Sequence, residues 1–220
     1  MKLLSVLAIT LSLVGCATSN LNGKYSLQEA GAGGHGVVVG SLSIATYDSV
    51  YPAYITYFIN PVDPKDKQGA TLKVSTGCDT IREGDSDFLD VCAHLFAIDL
   101  PAGDYVVTRW VMENDPGGHF YPAPAWVPAR FTVEAGKATY IGDLHMGVLT
   151  FPNLPGVHGG WLFVHDQSAR DIPQLRQEYP TLGDADVAVA PVAVAPEPIG
   201  WPDLDTPSPR APRRIPKHKP

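Results

Sequence analysis

The chain has 220 residues, 45% of them hydrophobic and 18% charged, a balance that supports a packed core and excludes full disorder. Its 21 glycines and 21 prolines argue against a bundle of long helices and for short strands joined by turns. A formal charge of −7 excludes nucleic acid as a partner, because phosphate binding needs a basic face.

In chain order, Lys2 precedes an apolar run from Leu3 to Val14. At twelve residues the run falls short of the about twenty needed to span a bilayer, and it reads as a signal-peptide core rather than a membrane anchor. It ends in Leu13-Val14-Gly15-Cys16, which resembles the lipobox of bacterial lipoproteins. That resemblance implies a signal peptide over residues 1–15 and a mature protein that starts at Cys16, carrying thioether-linked diacylglycerol and an amide-linked acyl chain. Two or more acyl chains hold a protein stably on a membrane. Ala17, where an aspartate would mark inner-membrane retention, implies the outer membrane. An ordinary secretory signal with an incidental Cys16 is the alternative. Cys78 and Cys92 are then left as an even pair in an oxidising compartment. A bridge between them would close a loop of about 15 residues and contribute roughly 3 kcal/mol; two buried free thiols are the alternative.

Residues 16–36 are small and polar with clustered glycines, and read as a flexible tether. The predicted strands follow over Val37–Thr46, Ala53–Asn60, Ala70–Ser75, Cys92–Leu100, Tyr105–Met112, Ala129–Glu134, Ala138–Leu144, Gly147–Phe151 and Trp161–His165. Most are rich in β-branched or aromatic residues and end at Gly, Pro, Asn or Asp. Residues 130–142 read as a hairpin turning at Gly136. Asp171–Tyr179 has helical spacing, with Asp171 as the cap and Pro173 in the first turn. Residues 183–220 hold nine of the 21 prolines and an alanine–valine alternation, and read as a disordered tail with a basic end. The expected domain therefore covers 37–182: an all-β, single β-sandwich with one short C-terminal helix.

Two stretches carry a further resemblance. Leu100-Pro101-Ala102-Gly103-Asp104-Tyr105 is similar to the Leu-Pro-x-Gly-x-Tyr turn of transthyretin-like (prealbumin-like) and carboxypeptidase-regulatory-like sandwich domains. Phe131-x-Val133-x-Ala135-Gly136-x-x-x-Tyr140-Ile141-Gly142-x-Leu144, with Arg170-Asp171, Leu175 and Tyr179-Pro180, is similar to bacterial outer-membrane lipoproteins of that architecture. The resemblance implies a prealbumin/Ig-like fold, and it implies no catalytic residue, because its motifs are turn and core positions.

Three features bear on chemistry. Ser75-Thr76-Gly77-Cys78-Asp79-Thr80-Ile81-Arg82 superficially resembles the Ser-x-Gly-Cys-x-Arg region of L,D-transpeptidases, whose cysteine nucleophile needs a nearby histidine. Here Arg82 comes two residues too late, and the nearest upstream His-Gly is His35-Gly36 in the glycine-rich segment. Asp79, Glu83, Asp85, Asp87 and Asp90 supply oxygens that suit Ca²⁺, but the spacing lacks the glycine and terminal glutamate of a helix–loop–helix site, and a solvated acidic loop accounts for it. The seven histidines show no close zinc spacing. Two loops look built for contact: Phe120, Tyr121 and Trp126 lie in a Pro-stiffened stretch, and Trp161 follows a Gly/Pro-rich one; the alternative is that Phe120, Tyr121 and Trp126 fold back as a cap on the core.

These readings combine into a lipid-anchored outer-membrane lipoprotein with a non-catalytic binding or scaffolding role and no cofactor or metal. Its partners are the membrane, through Cys16, and an envelope protein or the cell wall. The alternatives are a cell-wall enzyme using Cys78 and a Ca²⁺-dependent module using the 79–90 loop.

Overall fold

Val37-Val38-Val39 opens the first strand with no polar alternation, the pattern of a strand buried on both faces. The computed structural model describes residues 26–46, 53–65, 68–75, 93–114, 118–120, 129–151, 154–182 and 187–192. Within them the first sheet comprises β1 (His35–Thr46), β4 (Ala93–Pro101), β8 (Ala138–Phe151), β9 (Leu154–His165) and β10 (Val187–Val189). β1 lies between β4, antiparallel to it, and β8, parallel to it. The far edge of β8 is shared: β10 pairs with Ala138–Tyr140 and β9 with Asp143–Phe151. The second sheet comprises β2 (Ala53–Pro61), β3 (Ala70–Ser75), β5 (Gly103–Asn114), β6 (Gly118–Phe120) and β7 (Ala129–Val133). β2 lies between β3 and β5, and β6 and β7 both pair with β5.

The two sheets share one core. Leu42, Ile44, Phe96, Leu144 and Met146 of the first sheet belong to the same buried cluster as Ile55, Ile59, Leu72, Trp110 and Met112 of the second. The chain is thus all-β and sandwich-like. A second cluster covers the outer face of the first sheet: Val37, Val39, Ala97 and Tyr140 pack with Leu175 of α2 (Ser168–Glu178) and Leu182 of the 3-10 turn Pro180–Leu182. At the β4–β5 connection the Tyr105 hydroxyl donates to the Pro101 carbonyl at 3.0 Å. This bond closes the Leu-Pro-x-Gly-x-Tyr turn in the manner of the tyrosine corners of β-sandwiches.

Several expectations change. The stretch 130–142 is not a hairpin: β7 pairs with β5 and β8 with β1, so the chain changes sheets across Glu134–Lys137, with Gly136 at φ +71°. The two strands expected at 138–144 and 147–151 are one strand, and the strand expected from Trp161 starts at Leu154. The glycine-rich segment is not all tether. Ser26 caps α1 (Leu27–Ala32) by accepting from the Glu29 amide, and β1 begins at His35. A Cβ on Gly31 would stand 2.6 Å from the Gly136 Cα, and one on Gly36 would overlap the Glu134 carbonyl oxygen. These glycines allow two backbones to touch.

The ordered chain also continues past residue 182. β10 docks on β8, the Val192 amide donates to the Ile141 carbonyl at 3.1 Å, and the Val192 side chain is buried in the shared core. α2 begins at Ser168, three residues earlier than expected, its first amide donating to Asp166 Oδ1 at 3.0 Å. Asp171 is buried inside the helix rather than capping it, and Pro173 falls in the second turn.

Inside the shared core, Tyr57 and Trp110 are register partners across β2 and β5. Among the described residues the buried Tyr57 hydroxyl and Trp110 Nε1 have no hydrogen-bond partner. Burial, with the Asp143 charge adding to it, pushes the Tyr57 phenol well above its ordinary pKa. A buried polar atom without a partner costs about 1–3 kcal/mol. Tyr57→Phe is therefore expected to preserve stability or raise it by up to about 1 kcal/mol, measured by denaturant unfolding; a loss of stability would show that the hydroxyl has a partner.

Candidate functional site

Ser41 and Ser43 alternate with Leu42 and Ile44 along β1, so both serines leave the shared core and face α2. The parallel neighbour β8 presents Asp143 opposite Ser41 and His145 opposite Ser43. A Ser-x-Ser pair thus meets an Asp-x-His pair on the outer face of the first sheet. Register makes this possible only through a bulge: Val39 pairs with Tyr140 but Ser41 with Asp143, so β8 carries one extra residue. Tyr140 and Asp143 consequently face the same side. Gly142 sits in the bulge at φ +110°, a conformation that excludes most side chains.

α2 closes this face. Arg170 Nε donates to Asp171 Oδ1 at 2.6 Å, and Arg170 Nη2 donates to Ser41 Oγ at 3.0 Å and lies 3.7 Å from Asp143 Oδ2. Ser41 Oγ stands 2.6 Å from Asp171 Oδ2 and 3.0 Å from Asp143 Oδ1. The Tyr140 hydroxyl donates to Asp171 Oδ2 at 2.7 Å and accepts from the Gln167 amide at 3.2 Å. Ser43 Oγ lies 2.7 Å from Asp143 Oδ2 and 2.8 Å from His145 Nδ1. His145 stacks on His165 at 5.4 Å between ring centres, beside Phe163. Ser41, Ser43, Asp143, His145 and Asp171 all have 0% exposure.

The electrostatics follow from that burial. Loss of water raises the Asp143 pKa above the ordinary 3.8, against the opposing pull of Ser43, Arg170, Ser41 and His165. Burial first, and the Asp171 carboxylate second, push the Tyr140 phenol far above its usual range. Chemically, the cluster is a fastening. It joins β1, β8 and α2 through charge-assisted hydrogen bonds in a low-dielectric setting, where such bonds are strong and their loss is costly.

No protein family, curated protein or solved structure matches this chain.

None of the sequence-predicted site residues that the structure describes belongs to this cluster. Cys16, Cys78, Cys92, Tyr121, Trp126 and the acidic loop 79–90 fall outside the described residues. Phe120 ends β6. Trp161 lies on β9 opposite Gly147, half-buried and on the same face as Phe163 and His165. His35, the histidine closest upstream of Cys78, is held by Asp99, its Nδ1 2.9 Å from Asp99 Oδ2. Among the described residues no three of His, Cys, Asp and Glu come together to hold a metal ion.

Breaking the fastening from one side has a defined cost. Arg170→Ala strips the buried Asp171 carboxylate of its cation and is expected to destabilise the fold by about 3–5 kcal/mol. Arg109, exposed and stacked 4.2 Å over the Phe58 ring, is the control, with Arg109→Ala expected to cost about 1 kcal/mol or less. Urea unfolding of both variants checks the contrast.

Proposed function

We propose that this chain is a lipid-anchored protein of the bacterial outer membrane whose sandwich domain has a binding or scaffolding role without catalysis. The observation that carries the reading is Leu13-Val14-Gly15-Cys16 at the end of a charged-then-apolar N-terminal run, with Cys16 as the lipidated residue. The finer fold assignment, prealbumin-like, belongs to the same proposal and is supported by the Tyr105–Pro101 bond inside the Leu-Pro-x-Gly-x-Tyr motif. In this reading Cys78 and Cys92 form the disulfide expected of an oxidising compartment.

The chemistry of the polar cluster supports a non-catalytic role. A nucleophilic triad places histidine between serine and acid, so that histidine takes the serine proton and the serine oxygen faces substrate. Here Ser43 stands between Asp143 and His145, with no exposed surface. Its oxygen is committed to neighbours on both sides. Contact with an envelope partner then falls to Phe120, Tyr121, Trp126 and Trp161.

Cys16→Ser, expressed in a bacterial host with lipoprotein processing, is expected to move the protein from the membrane fraction to the soluble periplasmic fraction. It is also expected to abolish incorporation of labelled palmitate. Continued membrane association of the variant without label would contradict the assignment.

A further inference from the structure

Counting protons in the buried cluster leads to a second property, one that concerns Asp143. Ser41 has one hydroxyl proton, and a hydroxyl donates once. Its Oγ nevertheless lies within hydrogen-bond reach of two carboxyl groups, Asp171 at 2.6 Å and Asp143 at 3.0 Å, while it also accepts from Arg170 Nη2. One of the two contacts therefore needs a proton from the carboxyl group itself.

Geometry identifies which one. Asp171 receives Arg170 Nε on one oxygen at 2.6 Å and the Tyr140 hydroxyl on the other at 2.7 Å, donors on both sides that suit a carboxylate. Asp143 has the same arginine no closer than 3.7 Å and has 0% exposure. Neutral Asp143 completes the pattern: it donates from Oδ1 to Ser41, Ser41 donates to Asp171, and Ser43 donates to Asp143 Oδ2. His145 Nδ1–H then donates to Ser43 Oγ. Every proton in the chain has one acceptor, and Arg170 and Asp171 cancel in charge.

The groups facing Asp143 come from every element around it. They are Arg170 and Asp171 from α2, His165 from β9, Tyr140 and His145 from β8 itself, and Tyr57 from β2 across the core. Ionised Asp143 would place a second buried negative charge beside Asp171, with Arg170 as their common cation. The same cluster seats the C-terminal segment. The Tyr140 carbonyl accepts from the Ala190 amide at 2.9 Å, and β10 pairs along Ala138–Tyr140.

We propose that Asp143 is a protonated carboxylic acid in the folded protein near neutral pH, and that losing this proton to solvent as pH rises loosens α2 and the docked strand β10. The fold thereby carries an acid-tightened fastening of its C-terminal segment. The direction is the reverse of an ordinary salt-bridged aspartate. The folded pKa lies above the ordinary 3.8, so the stabilisation is complete below 3.8 and is lost as pH climbs through the raised value.

The test uses the full chain. The carboxyl carbon of Asp143 is followed by NMR as a function of pH, and amide exchange protection in α2 and β10 is compared at about pH 5 and about pH 8. The expected results are a carboxyl titration well above 3.8 and protection of those amides at least about threefold lower at the higher pH, after correction for intrinsic exchange. Asp143→Asn, whose amide reproduces the donor and acceptor of the neutral acid, is expected to remove that pH dependence. A carboxyl group already ionised at about pH 6 in the unaltered protein would overturn the proposal without recourse to any variant. So would unchanged pH dependence of protection in Asp143→Asn.

Discussion

At Gly142, β8 carries one residue more than β1 beside it, and this surplus turns Tyr140 and Asp143 to the same side of the sheet. Without it, strand alternation would send either the phenol or the carboxylate into the shared core. The bulge is also where the two partners of β8 change over, β10 ending at Tyr140 and β9 beginning at Asp143. Gly40 faces the bulge across β1, and a Cβ there would stand 2.5 Å from the Gly142 carbonyl oxygen. Two glycines in adjacent strands thus let one backbone close over the other.

Everything on the outer face of the first sheet follows from that arrangement. The half of the face nearer the start of β1 is apolar and packs against Leu175 and Leu182. The next rows mix polar and apolar residues, Ser41 beside Leu95 and Ser43 beside Ala93, and Arg170 and Asp171 of α2 bond down to Ser41. Apolar packing alone would tolerate sliding of a short helix over a flat sheet. A set of directional bonds among Ser41, Asp143, Tyr140, Arg170 and Asp171 fixes its position. The same polar set makes the C-terminal segment sensitive to protonation, since β10 docks on the residues that supply Tyr140.

The β-rich, turn-punctuated architecture is legible because Ala129–Val133 alternates apolar and polar residues and Ala53–Pro61 is rich in β-branched and aromatic residues and ends at Asn-Pro. The pairing is not legible. Residues 130–142 look like a hairpin in one dimension, but Phe131 and Val133 enter the core from the second sheet while the next strand joins the first. The glycines before β1 read as slack in one dimension, since close backbone approach and flexibility leave the same residue in the sequence. The alanine–valine alternation after residue 186 fits a proline-rich tail and a strand alike, and the buried Val192 is the anchor that decides for the strand. The buried cluster had a visible trace, Ser41-x-Ser43 and Asp143-x-His145 interrupting apolar strands. Nothing in one dimension shows that these two pairs lie side by side. Asp171, with Gln174 three residues on, has the spacing of a helix cap, whereas Ser41 and Tyr140 hold its carboxyl group on the sheet.

The bulge is the premise beneath the fastening, the seat of α2 and the docking of β10, so Gly142→Ala examines it most directly. A Cβ at this position would meet Val164 Cγ1 at 2.5 Å and the His165 carbonyl oxygen at 3.1 Å, on a backbone at φ +110°. Strain and overpacking together are expected to lower the unfolding free energy by at least about 2 kcal/mol, with amide protection lost first in α2 and β10. A variant within about 0.5 kcal/mol of the parent, with protection in α2 and β10 unchanged, would contradict the bulge and the arrangement built on it.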